Sequence, residues 1–265
     1  MLEMLGAIIG DVVGSRFEWS SFKGKDFVFF HKDCCLTDDS IMTFAVAQAL
    51  LQSAPDFETL SEKAVVCMQT LGRMYPDSGY GGNFYHWIYD EDPRPYNSYG
   101  NGAAMRISAV GWAANSLEEA KLLSKKVTEV THNHPEGMKG AEATAVAVYM
   151  ARAGKKIPEI REYIDQTYYP MDFSLDEIRD SYKFDMSCQG SVPQALMAFF
   201  ESGDFESAIR NAISIGGDSD TLAAICGGVA GAYYGVPEKL REGVLEYLDE
   251  TLFPILKAFE ESYGA

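Results

Sequence analysis

The chain has 265 residues, enough for one large core or two small ones, and its 47% hydrophobic and 23% charged residues are globular rather than disordered. Thirty-nine acidic against 22 basic residues give a net charge of −17, which repels phosphate backbones and anionic surfaces and argues against general nucleic-acid or membrane binding. The five cysteines, Cys34, Cys35, Cys67, Cys188 and Cys226, form no Cys-x-x-Cys and no disulfide framework, so a reducing cytoplasm is the expected compartment.

The apolar start is interrupted by Glu3 and Asp11 and has no basic leader, so it reads as neither a signal peptide nor a membrane span. Helical spacing of apolar positions predicts a helix over 4–13 instead. Residues 26–31, aromatic and β-branched, are the best strand signal, or an extended loop. Helices are predicted over 40–52 and 57–72. Residues 74–99, rich in Tyr, Gly, Pro and Asp, follow as a long functional loop, in which Tyr85, His86 and Trp87 form a packing cluster or a base-stacking lid. Helices over 101–114 and 117–130 lead into the polar turn 131–137, which holds His132 and His134. Further helices are predicted over 138–153, 157–166, 192–202, 204–214, 221–234 and 237–262. No repeat or low-complexity linker divides the pattern. It predicts one compact all-α domain, residues 1–265, of roughly ten helices.

Two segments carry acids at helix starts. Thr37, Asp38 and Asp39 precede one apolar helix, and Asp218, Asp220 and Thr221 precede another that is rich in Gly and Ala. Each segment alone is compatible with an ordinary cap, since hydroxyls and carboxylates satisfy the first backbone N–H groups and suit the helix dipole. Taken together, four carboxylates and two hydroxyls would converge if the two starts meet. All-oxygen ligation without His or Cys selects hard cations, Mg²⁺, Mn²⁺ or Ca²⁺, over Zn²⁺. Glu18 and Asp11 read by spacing as surface acids. Ser98, Tyr99, Gly100, Asn101 and Gly102 form a small polar turn before a helix, either a plain turn or an anion-binding one. His132 and His134 lack a third ligand at zinc spacing, which leaves a substrate contact or a loop hydrogen bond.

The ordered set GDVVGSRFE, LTDDS, SYGNGAAMR, THNHPEG and GGDSDTLAAICGGVAGAYYG resembles the ADP-ribosylglycohydrolase family over about residues 5–235. The resemblance implies a compact orthogonal multi-helix bundle with a dinuclear centre of two Mg²⁺ (or Mn²⁺) at one end. It implies Thr37, Asp38, Asp39, Asp218, Asp220 and Thr221 as metal ligands, and Glu18 as an acid that gates the metals or acts in catalysis. By the same resemblance Ser98, Tyr99, Gly100 and Asn101 hold the diphosphate and ribose, with Gly102 closing that turn, and His132 lies near the distal ribose. The implied activity is hydrolysis of the C1″ glycosidic bond of an ADP-ribosylated protein or small-molecule adduct by a cytoplasmic monomer, with Glu18, Asp39 and Asp220 as candidates for the catalytic carboxylate. Two other readings stay open, a non-catalytic ADP-ribose-binding relative and a two-metal phosphohydrolase of nucleotide diphosphates. The acceptor linkage stays open too.

Overall fold

The computed structural model describes residues 4–264; Glu3, read above as a break in the apolar start, lies outside them. Fifteen helices are found among the described residues, in the order α1 (Leu5–Ser15), α2 (Asp38–Ser53), α3 (Leu60–Met74), α4 (Gly82–Tyr89), α5 (Gly102–Met105), α6 (Ser108–Ala113), α7 (Leu117–Thr128), α8 (Pro135–Arg152), α9 (Ile157–Thr167), α10 (Leu175–Ile178), α11 (Cys188–Phe200), α12 (Phe205–Ile213), α13 (Ser219–Tyr234), α14 (Glu238–Leu245) and α15 (Leu252–Tyr263). No strand occurs among them, so the fold is all-α. Residues 26–31 are irregular chain, bent at Phe29 and Phe30, without sheet partners. No described helix is long and apolar enough to cross a membrane.

Two helices form the axis of the molecule. Residues 5–14 of α1 and 219–231 of α13 are buried on every side, as expected for helices with no polar face. They cross at backbone distance because glycines face one another. A Cβ on Gly10 would stand 2.0 Å from the Ala223 carbonyl oxygen, and one on Gly6 would stand 2.2 Å from that of Gly227. The other helices wrap this pair, and one cluster of buried apolar side chains runs from Met4 to Phe259.

Four expectations are corrected. The 74–99 loop contains α4, whose Phe84 and Trp87 rings stack at 5.4 Å in the core while Tyr85, His86 and Tyr89 face solvent. Its last carbonyls are held by Gln69, at 3.0 Å from the Trp87 oxygen, and by Arg73, at 2.8 Å from that of Ile88. The 101–114 helix is two helices, α5 and α6, parted at Arg106 and Ile107, a bend that turns Arg106 inward. The 237–262 helix is also two. Asp249 accepts the N–H groups of Thr251 (2.9 Å) and Leu252 (3.0 Å), and Pro254 sits in the first turn of α15, where no N–H is needed. Finally, α11 starts at Cys188, four residues before the predicted position, and carries Pro193 inside it. The sequence pattern did not predict α10, which Ser174 and Glu177 close with a reciprocal capping box.

Candidate metal centre and adjoining turn

The starts of α2 and α13 meet. Thr37 caps α2, its hydroxyl accepting the Asp39 N–H at 3.3 Å. Before α13 the chain passes through Gly216 and Gly217 at φ +66° and +76°, a left-handed conformation that favours glycine. There Asp218 turns into the helix, and its carboxylate accepts from the Asn101 amide at 2.7 Å. Across the gap the Thr221 hydroxyl donates to Asp39 Oδ2 at 3.3 Å.

Carboxylate oxygens of Asp11, Asp39 and Asp220 lie within 4.8 Å of one another, and so do those of Glu18, Asp218 and Asp220. The two triads share Asp220. Asp38 belongs to neither. It is partly exposed, with its N–H on the Ser78 carbonyl at 2.7 Å and its carboxylate facing Gly79 at the edge of the site. Asp11, which spacing alone reads as a surface acid, is fully buried. It accepts from the Thr37 N–H (3.0 Å), the Thr37 hydroxyl (2.6 Å), the Ser40 N–H (3.1 Å) and the Ser40 hydroxyl. Asp11 therefore ties α1 to the first turn of α2, a role the sequence did not disclose.

So many carboxylates cannot all ionise together without counter-charge. Burial, then the charges of Asp218 and Asp11, push Glu18 up to about 7. Burial, then Asp11 and Asp218, push Asp38 up to about 8. Asp39 and Asp220 are held well above the ordinary carboxylate range by burial and then by their acidic neighbours. Burial also raises Asp11 and Asp218, against the hydrogen bonds each accepts. Asp39 Oδ1 is buried with no hydrogen-bond partner. An orphaned carboxylate oxygen inside two converging acidic triads fits hard divalent cations.

Glu18 is half-buried at the mouth of the site, next to the exposed Trp19. Trp19 is 81% exposed and stacks on Phe184 at 5.3 Å, an aromatic wall that the sequence reading did not weigh.

The 98–102 turn lies beside Asp218 and is pinned to the segment before α11. The Asn101 N–H donates to the Met186 carbonyl at 2.7 Å, and the Cys188 N–H to that of Tyr99 at 2.9 Å. The Gly100 N–H is taken by the Ser98 hydroxyl at 3.1 Å. Of the five backbone N–H groups expected to cradle a diphosphate, those of Gly100 and Asn101 are thus already engaged. The Asn101 amide is engaged as well, by Asp218 and by Ser191 at 3.0 Å. Tyr99 is 53% exposed and packs on His134 at 5.3 Å. His134 itself caps α8, its Nδ1 accepting the Glu136 N–H at 3.1 Å, so of its two sequence readings the loop hydrogen bond is the one seen. His132 is buried under the turn. Its Nδ1 lies 2.7 Å from the Thr131 hydroxyl and 3.3 Å from Arg106, and burial, with the Arg106 charge second, keeps it well below the ordinary histidine range.

The family model for ADP-ribosylglycohydrolase matches residues 3–263. ADP-ribosylhydrolase ARH3 of Mus musculus is 24% identical, over 98% of this chain and 91% of its own, and that of Homo sapiens is 24% identical over 94% and 89%. ADP-ribosylarginine hydrolase Tri1 of Pseudomonas putida is 28% identical over 57% of this chain and 42% of its own. Among solved structures, a chain of an ADP-ribosylglycohydrolase-related protein complex shares the fold, with a TM-score of 0.70 at 23% identity over 98% of this chain and 96% of that one. The chain belongs to the ADP-ribosylglycohydrolase family.

Proposed function

We propose that this protein hydrolyses the C1″ glycosidic bond of an ADP-ribosylated protein or small molecule and releases ADP-ribose, using two divalent cations, Mg²⁺ or Mn²⁺. The observation that carries the reading is the pair of acidic triads sharing Asp220, with Asp39 Oδ1 of one of them buried and unpartnered. Asp39, Asp220 and the Thr37 and Thr221 hydroxyls would hold one cation, and Asp218 and Asp220 the other, with Glu18 beside it and Asp38 closing the site from its edge. When bound, such cations orient sugar hydroxyls and make a water acidic enough to act as nucleophile at neutral pH.

Among the three candidate carboxylates, Glu18 is the one best placed to move a proton. Asp39 Oδ2 is occupied by the Thr221 hydroxyl, and Asp220 lies in both triads, so both are committed to holding charge. Glu18 is half-buried within reach of Asp218 and Asp220, and no hydroxyl among the described residues occupies its carboxylate. Free groups for the substrate remain on the 98–102 turn: the N–H groups of Ser98, Tyr99 and Gly102, the exposed Tyr99 ring and the His132 imidazole. Pinning Asn101 to Asp218 couples the turn to the metal end, so sugar and cations would be placed by one rigid unit.

The test is a panel of arginine-linked, serine-linked, O-acetyl and nucleic-acid ADP-ribose adducts assayed with Mg²⁺, Mn²⁺ or EDTA. The reading expects intact ADP-ribose, formed only with metal. ADP-ribose appearing at an unchanged rate under EDTA sinks the metal role, and AMP as the product turns the assignment to a phosphohydrolase. The full acidic set favours an active enzyme over a non-catalytic binder.

A further inference from the structure

Arg106 is 1% exposed and forms no ion pair with a carboxylate among the described residues, the charge of Asp38 reaching it only from beyond contact. A buried guanidinium without a counter-charge is costly, so its placement calls for a reason. One terminal nitrogen donates to the Thr131 hydroxyl at 2.6 Å and approaches His132 Nδ1 at 3.3 Å. The cation also lies 5.3 Å from the Phe84 ring of α4, and its Nε has no partner.

A guanidinium has five N–H donors and no acceptor, and it does not give up its proton in proteins. The atom it faces must therefore offer a lone pair. Thr131, whose oxygen already accepts from Arg106, can add its own O–H to the same Nδ1 at 2.7 Å, whereas an Nδ1–H would point a second proton at the guanidinium 3.3 Å away. Arg106, an obligate donor, thus favours Nδ1 as the acceptor, and the Thr131 hydroxyl is free to match it. A buried ring beside a fixed positive charge is neutral and carries a single proton, which these contacts assign to Nε2.

Nε2 lies under the glycine faces of the 98–102 turn. A Cβ added to Gly102 would stand 3.4 Å from it, and one on Gly100 3.6 Å. No described residue pairs with it. The geometry points to Arg106 as a positioning residue that, through Thr131, fixes His132 as a neutral Nε2–H donor aimed at an oxygen of the ligand in the 98–102 turn. The inference rests on the reading that this turn receives the substrate. It adds a residue that touches no substrate but sets which imidazole nitrogen carries the proton.

The test begins without substrate. In holoenzyme labelled with ¹⁵N-histidine, a long-range ¹H–¹⁵N spectrum at neutral pH distinguishes the two neutral tautomers and the cation. The four histidines of the chain are few enough to assign His132 from its loss in His132→Gln. The expected spectrum has Nδ1 unprotonated and Nε2 protonated. An Nδ1–H tautomer or a doubly protonated ring overturns the inference. Arg106→Met should give mixed tautomers or a protonated ring, and Arg106→Lys should restore the wild-type pattern; an unaltered tautomer in a folded Arg106→Met also overturns it.

Binding of ADP-ribose by calorimetry supplies a second arm if Arg106→Met does not fold. A Gln amide mimics the Nε2 donor and an Asn amide the Nδ1 donor, so His132→Gln should bind ADP-ribose at least tenfold more tightly than His132→Asn. The reverse order overturns the donor assignment. Wild-type protein that binds no ADP-ribose removes the substrate reading and the ligand half of the inference with it, while the spectrum still decides the tautomer.

Discussion

At the start of α2 the chain reads Thr37-Asp38-Asp39-Ser40, and at the start of α13 it reads Asp218-Ser219-Asp220-Thr221. These near-mirror segments are held by different means. The α2 start is fixed by hydrogen bonds, because the buried Asp11 of α1 accepts four from Thr37 and Ser40. The α13 start is fixed by contact. Gly14 lies so close that a Cβ there would stand 2.5 Å from the Ser219 carbonyl oxygen and 2.6 Å from the Asp220 Cα, and Asn101 steadies Asp218 from the far side. One helix, α1, thus locates both acid groups, by a carboxylate on one side and by missing side chains on the other. Polar anchoring is directional, and close packing is not. Using both fixes the distance between two groups that repel each other.

The largest expected effect comes from removing the residue the two triads share. Asp220→Ala should lose both metal equivalents by elemental analysis, and kcat should fall on the order of a thousandfold or more. Asp218→Ala should lose only one equivalent; full metal content in Asp220→Ala would take it out of the centre. Next is the packing arm of the comparison. Gly10→Ala places a Cβ 2.0 Å from backbone that cannot yield, and denaturant unfolding should show a loss of about 3 kcal/mol, the upper range for overpacking. Gly81→Ala, whose Cβ would meet open space, is the control and should stay near wild type. The polar arm is weaker. Asp11→Asn sets an NH₂ against at least one of the four donors, the Thr37 hydroxyl if it replaces Oδ1 and three donors if it replaces Oδ2, and should cost about 1–3 kcal/mol. If Asp11→Asn proves more damaging than Gly10→Ala, anchoring rather than packing dominates.

The smallest effect is the pH dependence of the metal-free protein. Glu18 and Asp38 stand at about 7 and about 8 when folded, above their unfolded values near 4, so the folded state binds more protons between those limits. Stability from these groups is fully present below about pH 4 and is lost as pH rises through 7 to 8. In EDTA the melting temperature should therefore fall from pH 5 to pH 8. Adding Mn²⁺ at about a hundred times its Kd contributes about 2.7 kcal/mol, roughly 5–10 °C, and should do so chiefly at the upper end. A metal-induced rise that is larger at pH 5 than at pH 8 would contradict the charge-repulsion account.

Much of this was legible in the residues. Helical spacing found α1, α2, α3, α7, α8, α9, α12 and α13 with shifted ends, because amphipathic or wholly apolar runs need no partner to be recognised. The paired acid clusters were legible because two hydroxyl-and-acid sets at helix starts exceed what capping requires. Asp11 was not. A single acid in an apolar helix reads as a surface residue until the two hydroxyls and two N–H groups that saturate it come from 26 and 29 residues away. The α4 helix was hidden by Tyr and Gly content, which suggests a loop, and its stability comes from Phe84 and Trp87 buried against the rest of the core.

By itself, the sequence determined an acidic all-α protein, two hydroxyl-and-acid sets at helix starts, and the family whose motifs they match, since periodicity and residue chemistry are local. Only the tertiary structure decided that Asp220 lies in both triads, that Asp38 stays at the edge, that Asn101 is spent on Asp218, and that Arg106 reaches His132 without a counter-ion. The first of these depends on how closely α1 and α13 approach, a distance set by atoms that are absent from Gly6, Gly10 and Gly14; the others depend on contacts between residues far apart in the chain.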